Sequence, residues 1–331
     1  MSATHACSSP LGPTITAYLA LKTALGRRFV NETAVLAHLD RFLTTWTGGG
    51  GDLTADTFAA WSLELARLTP TVRRNHMRIV RNLCLYRRRS DPGCFVPDPN
   101  GFPAPHPPPR PHIFTEQQIV QLLRAAARSR PRPNSPLCPQ VFRLAIVLLY
   151  TAGLRRGELV RLVLSDYDPL ERTLRVRASK FHKSRLVALS EDTAREMESY
   201  LRARRRLPCD AGAPLLVNRR AGLQPYSGPS LGHRLQELMR RADVRTAAGR
   251  VPRVHDLRHS YAVHVLLRWY RAGVDVQAKL PALAAAMGHV SVASTAYYLA
   301  FLEPVAQAAS ERFAHHCRDL ISALRGGGGA R

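Results

Sequence analysis

The chain is short of acid. Against 48 Lys and Arg it carries 24 Asp and Glu, a formal net charge of +24 over 331 residues. Such a surplus argues against a cationic partner and for a polyanion, nucleic acid ahead of a membrane surface. Arginine dominates the surplus, and its planar fork suits bidentate phosphate contacts. Long apolar runs are lacking too. The longest strongly apolar stretch, residues 144–150, falls far below the roughly 20 residues a bilayer span needs. No cleavable targeting segment or amphipathic anchor stands out. The six cysteines (Cys7, Cys84, Cys94, Cys138, Cys209, Cys317) never form a C-x-x-C pair, so they read as reduced thiols of a cytoplasmic protein. Also missing are a P-loop, the H-E-x-x-H zinc pattern and an acidic cluster able to hold two magnesium ions. Nucleotide-driven chemistry, zinc proteolysis and two-metal hydrolysis are thereby disfavoured, and no cofactor and no metal are expected. No internal repeat is visible.

What is present falls into two blocks. Residues 1–12 read as a flexible N-terminus. Apolar residues at helical spacing then predict four helices within 13–96, near 13–25, 32–43, 55–68 and 72–88. On the fourth, Met77, Val80 and Cys84 form one stripe, and Arg74, Arg78 and Arg81 form a basic stripe beside it, placed to meet a DNA backbone. Residues 97–111 hold eight prolines, which rules out helix or interior strand and predicts a linker. The second block, 112–325, opens with a capping-box pattern at Thr115 and Gln118. A helix over 141–150, apolar on all sides but Arg143, should be central and buried. Alternating residues at 174–177 and 185–189 predict a hairpin with a Lys- and His-rich tip, and 215–217 a third strand. Helices are expected near 191–206, 229–242, 256–272, 281–287, 291–298 and 303–324. Residues 326–331 form a flexible glycine-rich tail.

Three polar groups sit where an apolar core should begin. Thr151-Ala152-Gly153-Leu154-Arg155-Arg156-Gly157-Glu158-Leu159 follows the buried helix, and Arg155 and Glu158, three apart, can share a face. A charge this close to a core must be paired or hold an anion. His255-Asp256-Leu257-Arg258-His259 opens an apolar helix. Met287-Gly288-His289 is followed by Tyr297 and Tyr298; Gly288 permits a tight turn that leaves His289 at a helix start. Zinc on His255, His259 and His289 is disfavoured by the neighbouring arginines and the missing Cys or carboxylate ligands. A DNA phosphodiester suits the set better. Arginines neutralise its non-bridging oxygens, histidines move a proton or donate a hydrogen bond, a hairpin lysine protonates the leaving oxygen, and a tyrosine attacks.

In these residues the chain resembles the tyrosine recombinase or phage integrase family, which includes the Xer and Cre recombinases. The family's T-G-L-R-x-x-E-L, hairpin-lysine, H-x-x-R-H and L-G-H boxes are matched in order. Ser179-Lys180-Phe181-His182-Lys183-Ser184-Arg185 is the hairpin element, and Tyr298 lies nine residues past His289, the family's tyrosine spacing. The resemblance implies an all-α, SAM-like core-binding bundle followed by a mainly α catalytic domain with a small antiparallel sheet, together clamping double-stranded DNA. It implies Arg155 and Arg258 as the phosphate clamp, Tyr298 as nucleophile, Lys180 as general acid, His255 as assisting base and His289 as a phosphate ligand. Glu158 and His259 become supporting residues. Lys183 and Arg185 join Arg74, Arg78 and Arg81 as DNA-backbone candidates. It further implies a homotetramer on two paired DNA sites, a monomer or dimer without DNA, no membrane, and a bacterial cytosolic or nucleoid-associated location. The helix at 303–324 either docks on a neighbouring subunit or packs on its own domain. A type IB topoisomerase-like relaxing enzyme and a non-catalytic DNA-binding protein are the alternatives.

Overall fold

The computed structural model describes residues 7–26, 30–48, 51–107, 110–133, 135–177, 184–207, 210, 212–218 and 224–301. Lys180, Lys183, the expected helix at 303–324 and the tail at 326–331 lie outside these residues. The chain divides into two compact units, Met1–Pro109 and Arg110–Arg331.

The first unit holds four helices, α1 (Gly12–Ala24), α2 (Val30–Thr45), α3 (Ala55–Glu64) and α4 (Pro70–Arg87). Their apolar stripes meet in one core built on Ile15, Leu36, Leu39, Trp61 and Val80, all fully buried. Residues 8–11 are held more firmly than their sequence suggests. The buried Asp40 carboxylate of α2 accepts from the Ser8 and Ser9 amides and, at 2.5 Å, from the Ser9 hydroxyl. These bonds pin the residues just before α1 and bury Leu11. The proline-rich segment is likewise tied down in part. Phe102 enters the core of this unit, and the His106 amide donates to the Thr71 hydroxyl at 3.0 Å. Arg74, expected on a DNA backbone, donates through Nη1 to the carbonyls of Pro103 at 3.1 Å and Phe102 at 3.4 Å. It is therefore a tie for the proline-rich segment, whose imides supply carbonyls but no donors. Arg78 is exposed and Arg81 half-buried on the same helix.

The second unit contains α5 (Glu116–Ala127), α6 (Cys138–Thr151), the short α7 (Arg156–Leu159), β1 (Tyr167–Asp168), β2 (Thr173–Val176), β3 (Arg185–Ala188) and α8 (Glu191–Arg204). There follow β4 (Val217–Asn218), β5 (Gln224–Pro225), α9 (Gly228–Arg241), α10 (His255–Arg271), α11 (Val276–Met287) and α12 (Ala293–Ala296), with a 3-10 turn at Tyr297–Phe301. Thr115 and Gln118 close the capping box of α5. α6 is the axis of the unit: eight consecutive residues from Leu144 to Thr151 include six buried ones, and it packs on α5, α8 and α10. Its one charge, Arg143, reaches outward to the Glu196 carboxylate. The strands form an antiparallel sheet in the order β1-β2-β3, with Val176 opposite Arg185. Val217 does not join it but pairs with Pro225 in a separate two-stranded ribbon.

Two expectations at the C-terminal end are overturned. The helix predicted at 281–287 begins five residues earlier, because Asp275 accepts from the Ala278 amide and caps it. Pro281 lies inside that helix rather than at its first turn. His289 is not at a helix start. Gly288 adopts φ +65° in the left-handed region, and the His289 amide donates back to the Ala284 carbonyl at 2.8 Å. This closes the C-terminus of α11 in a Schellman-type turn. The polarity beside His289 is therefore that of helix-end carbonyls, not free amides.

Candidate active site

That carbonyl end of α11 collects guanidinium groups from three distant parts of the chain. Arg185 of β3 donates through Nε to Ala286 O at 2.8 Å, Arg258 of α10 through Nη2 to Met287 O at 2.6 Å, and Arg155 through Nη2 to Gly288 O at 2.7 Å. A helix C-terminus carries negative partial charge, so three cations there are mutually tolerable. Glu158 supplies the full negative charge at their centre. Its two oxygens accept from Arg185 at 3.0 and 2.9 Å, and Oε1 accepts from Arg155 at 2.7 Å. Arg258 approaches to 3.9 Å. Three guanidiniums against one carboxylate leave two positive charges in a largely buried place, the condition for holding an anion.

The local sequence explains how each group arrives. Arg155 is the N-cap of α7, where the Glu158 carboxylate turns back to accept from the Arg155 amide at 2.9 Å. Arg258 is almost wholly buried, one turn into α10. That helix starts where Asp256, also buried, receives the Arg253 amide at 2.9 Å and the Arg253 guanidinium at 2.7 Å. The other arm of Arg258, Nη1, donates to Gly153 O at 2.5 Å. Gly153 holds φ +60°, and a β-carbon on it would lie 2.3 Å from the Tyr261 ring. Gly153→Ala should therefore lower stability by about 2–4 kcal/mol, combining left-handed strain with overpacking, as read from urea unfolding midpoints. It should also loosen Arg258.

Tyr298 is buried, 3% exposed, while Tyr297 beside it is half-buried. The Tyr298 hydroxyl lies 3.1 Å from His259 Nδ1. Its ring tilts against His259, centroids 5.5 Å apart, and stacks with His289 at 6.2 Å. His289 Nδ1 is engaged by the buried Thr295 hydroxyl at 2.8 Å. His255 stands edge-on to His259 at 4.6 Å and faces a cavity of about 360 Å³ lined also by Arg155, Arg156, Gln236 and Arg253. Of the residues singled out from sequence, Arg155, Glu158, Arg258, His259, His289 and Tyr298 interlock by these contacts, and His255 joins through His259. Arg185, expected on the DNA backbone, is instead bound to Glu158 and Ala286. Gln236 and Arg253 carry no motif signal. Arg156 did, crowding Arg155. Its guanidinium rests over Gly232 of α9, where an added β-carbon would lie 2.4 Å from Nη1, and the glycine there is the trace of that packing.

Ionisation follows from the same crowding. Burial opposes the Glu158 charge, but hydrogen bonds from Arg185 and the Arg155 amide outweigh it and hold the carboxyl at about 2. Burial, then Arg155, lowers Arg258 to about 10, so it stays charged at neutral pH. Burial first, then cationic neighbours, depresses His255, His259 and His289 to about 4 each. His255 is open to the cleft, and water softens the first of these causes there. Burial raises the Tyr298 phenol, while Arg258 and Arg155 draw it back down. The histidines, lowered from 6.5 on folding, bind protons more readily in the unfolded chain. Stability should thus fall as pH drops from 6.5 toward 4, and again between 4.5 and 2 as Glu158 protonates. Urea titrations across that range check the sign. Among the described residues no three of His, Cys, Asp and Glu gather as a metal set, and no helix is long and apolar enough to cross a membrane.

A helical unit, an α/β unit and a buried phenol among arginines and histidines are the arrangement that the resemblance to enzymes breaking and rejoining DNA strands through a tyrosine implies. The sequence profile of the phage integrase family matches residues 112–303. A putative integrase/recombinase of Sinorhizobium fredii, y4rB, is 32% identical over 250 residues, 75% of this chain and 79% of the relative. Tyrosine recombinase XerD of Xanthomonas axonopodis pv. citri is 32% identical over 67% of this chain and 68% of its own. Among solved structures, the Tn1549 transposon integrase with transposon right end DNA superposes with a TM-score of 0.61 at 19% identity, covering 91% of this chain and 99% of that one. The chain belongs to the phage integrase family. It is a tyrosine-type site-specific recombinase, acting in DNA recombination and integration.

Proposed function

We propose that the chain cleaves and rejoins DNA through a 3′-phosphotyrosine link on Tyr298. The observation that carries this reading is the pair of uncompensated positive charges around Glu158, with the Tyr298 phenol under the influence of Arg258 and Arg155. Arg155 and Arg258 grip the non-bridging oxygens of the scissile phosphate, whose charge grows in the transition state. Glu158 orders that pocket, His289 donates to a phosphate oxygen, His255 assists as base, and His259 supports them. Lys180 protonates the leaving 5′ oxygen, with Lys183, the exposed Arg78 and the half-buried Arg81 on the DNA backbone. The covalent link conserves the phosphodiester energy, so rejoining needs no nucleotide. The chain acts in the bacterial cytosol as a homotetramer on two paired sites, and is a monomer or dimer without DNA. The Tn1549 integrase and a lambda integrase dimer, both solved on DNA, support the choice of partner.

A supercoiled plasmid bearing two copies of the DNA that flanks the chain's own gene tests this. Recombinant circles that require both copies are expected. Relaxation of a plasmid lacking them, by a monomer, would favour a type IB topoisomerase-like enzyme. Binding with no strand cleavage would leave a DNA-binding protein.

A further inference from the structure

Of the three histidines near Tyr298, only His259 has a ring nitrogen within hydrogen-bond distance of the phenol oxygen among the described residues, 3.1 Å from Nδ1. His289 lies alongside the phenol ring, and its Nδ1 is engaged by Thr295. His255 meets the edge of His259 and opens to the cleft. A phenol O–H pointing at Nδ1 requires the neutral imidazole with its proton on Nε2. Burial, with Arg253 and Arg258 nearby, keeps His259 neutral. The guanidinium of Arg258 is a donor only and cannot take a proton; it can stabilise the phenolate once formed.

We infer that His259 is a catalytic residue, the immediate acceptor of the Tyr298 proton during strand cleavage, with His255 behind it at the mouth of the cleft. The inference rests on the reading of Tyr298 as nucleophile. In the step, the Tyr298 O–H bond breaks and its proton passes to His259 Nδ1, giving an imidazolium. The phenolate electron pair forms the new O–P bond. The P–O5′ bond breaks, and its pair stays on the 5′ oxygen, which takes a proton from Lys180. Rejoining reverses each transfer. The incoming phosphate adds negative charge beside Arg155 and Arg258, offsetting the cations that otherwise resist an imidazolium here.

The test is single-turnover adduct formation by the full chain on a nicked suicide duplex made from its flanking DNA. His259→Ala and His259→Gln should each form the adduct about 10²–10⁴ times more slowly than the wild type, with unchanged duplex affinity. Glutamine keeps a hydrogen-bond acceptor without useful basicity, so it separates holding the phenol from taking its proton. A fluorinated tyrosine at position 298, whose phenol is more acidic, should recover about tenfold or more of the rate in either variant. A sulfur leaving atom at the 5′ position, which needs no acid, should rescue Lys180→Ala but not the His259 variants. Near-native rates in both variants would overturn the role. So would slow variants that a fluorinated tyrosine leaves slow, since packing alone would then account for them. A wild-type chain that forms no adduct would overturn the proposed function together with this role.

Discussion

Tyr298→Phe should abolish the covalent adduct on a nicked suicide duplex, whereas Tyr297→Phe should retain it. The two phenols are adjacent in sequence but not equivalent in place. Successive residues of a 3-10 turn point about 120° apart. Tyr298 lies buried against Ala262, Val263, Leu266 and Met287, among the charges and imidazoles described above, while Tyr297 packs at the margin of that cluster. Loss of one hydroxyl leaves the Tyr298 ring to fill the same space, so fold and duplex affinity should be unchanged. The readout is a protein–DNA band that survives denaturation. Its loss in both variants, or in Tyr297→Phe alone, would assign the nucleophile wrongly.

The second large effect is expected at Glu158. Its side chain is almost wholly buried and takes four hydrogen bonds from two arginines and a backbone amide. Glu158→Ala leaves Arg155, Arg185 and Arg258 facing one another without a counter-charge. Removal of one partner from such a network costs about 3–5 kcal/mol, measurable by chemical unfolding at neutral pH. Cleavage should fall further than stability does, because the orientation of Arg155 and Arg258 depends on the same carboxylate. Glu158→Gln keeps the shape and loses the charge, and should remove the Glu158 share of the acid-dependent loss of stability between pH 4.5 and 2, leaving that of Asp52 and Glu237. A Glu158→Ala chain of native stability would mean that the arginines find another anion.

The pairing of Arg155 with Glu158 was legible because it is local, three residues apart on one turn. The capping box at Thr115, the hairpin strands and the buried α6 were legible for the same reason, as patterns of neighbouring residues. The contacts that assemble the site were not. Arg258 reaches Gly153 O across 105 positions, and Arg185 reaches Ala286 O across 101; nothing near either arginine announces a carbonyl as its partner. Arg74 and Arg185 read as DNA contacts because charge composition cannot separate a guanidinium facing solvent from one bound to backbone. The helix expected at 281–287 starts earlier than its apolar pattern showed, at Val276, because Asp275 caps it. His289 was placed at the wrong kind of helix end because Gly288 signals a turn without giving the direction of the chain on either side. Gly153, Gly232 and Gly288 each mark a place where another group comes too close for a β-carbon, at 2.3, 2.4 and 2.7 Å.

A crystal of the full chain with a nicked duplex and orthovanadate tests most directly whether these groups meet on one phosphorus. Vanadium should be bonded to the Tyr298 oxygen between the duplex ends, its equatorial oxygens held by Arg155 and Arg258 with Glu158 still behind them. Vanadium bound elsewhere, or held while either arginine points away from it, would contradict that geometry.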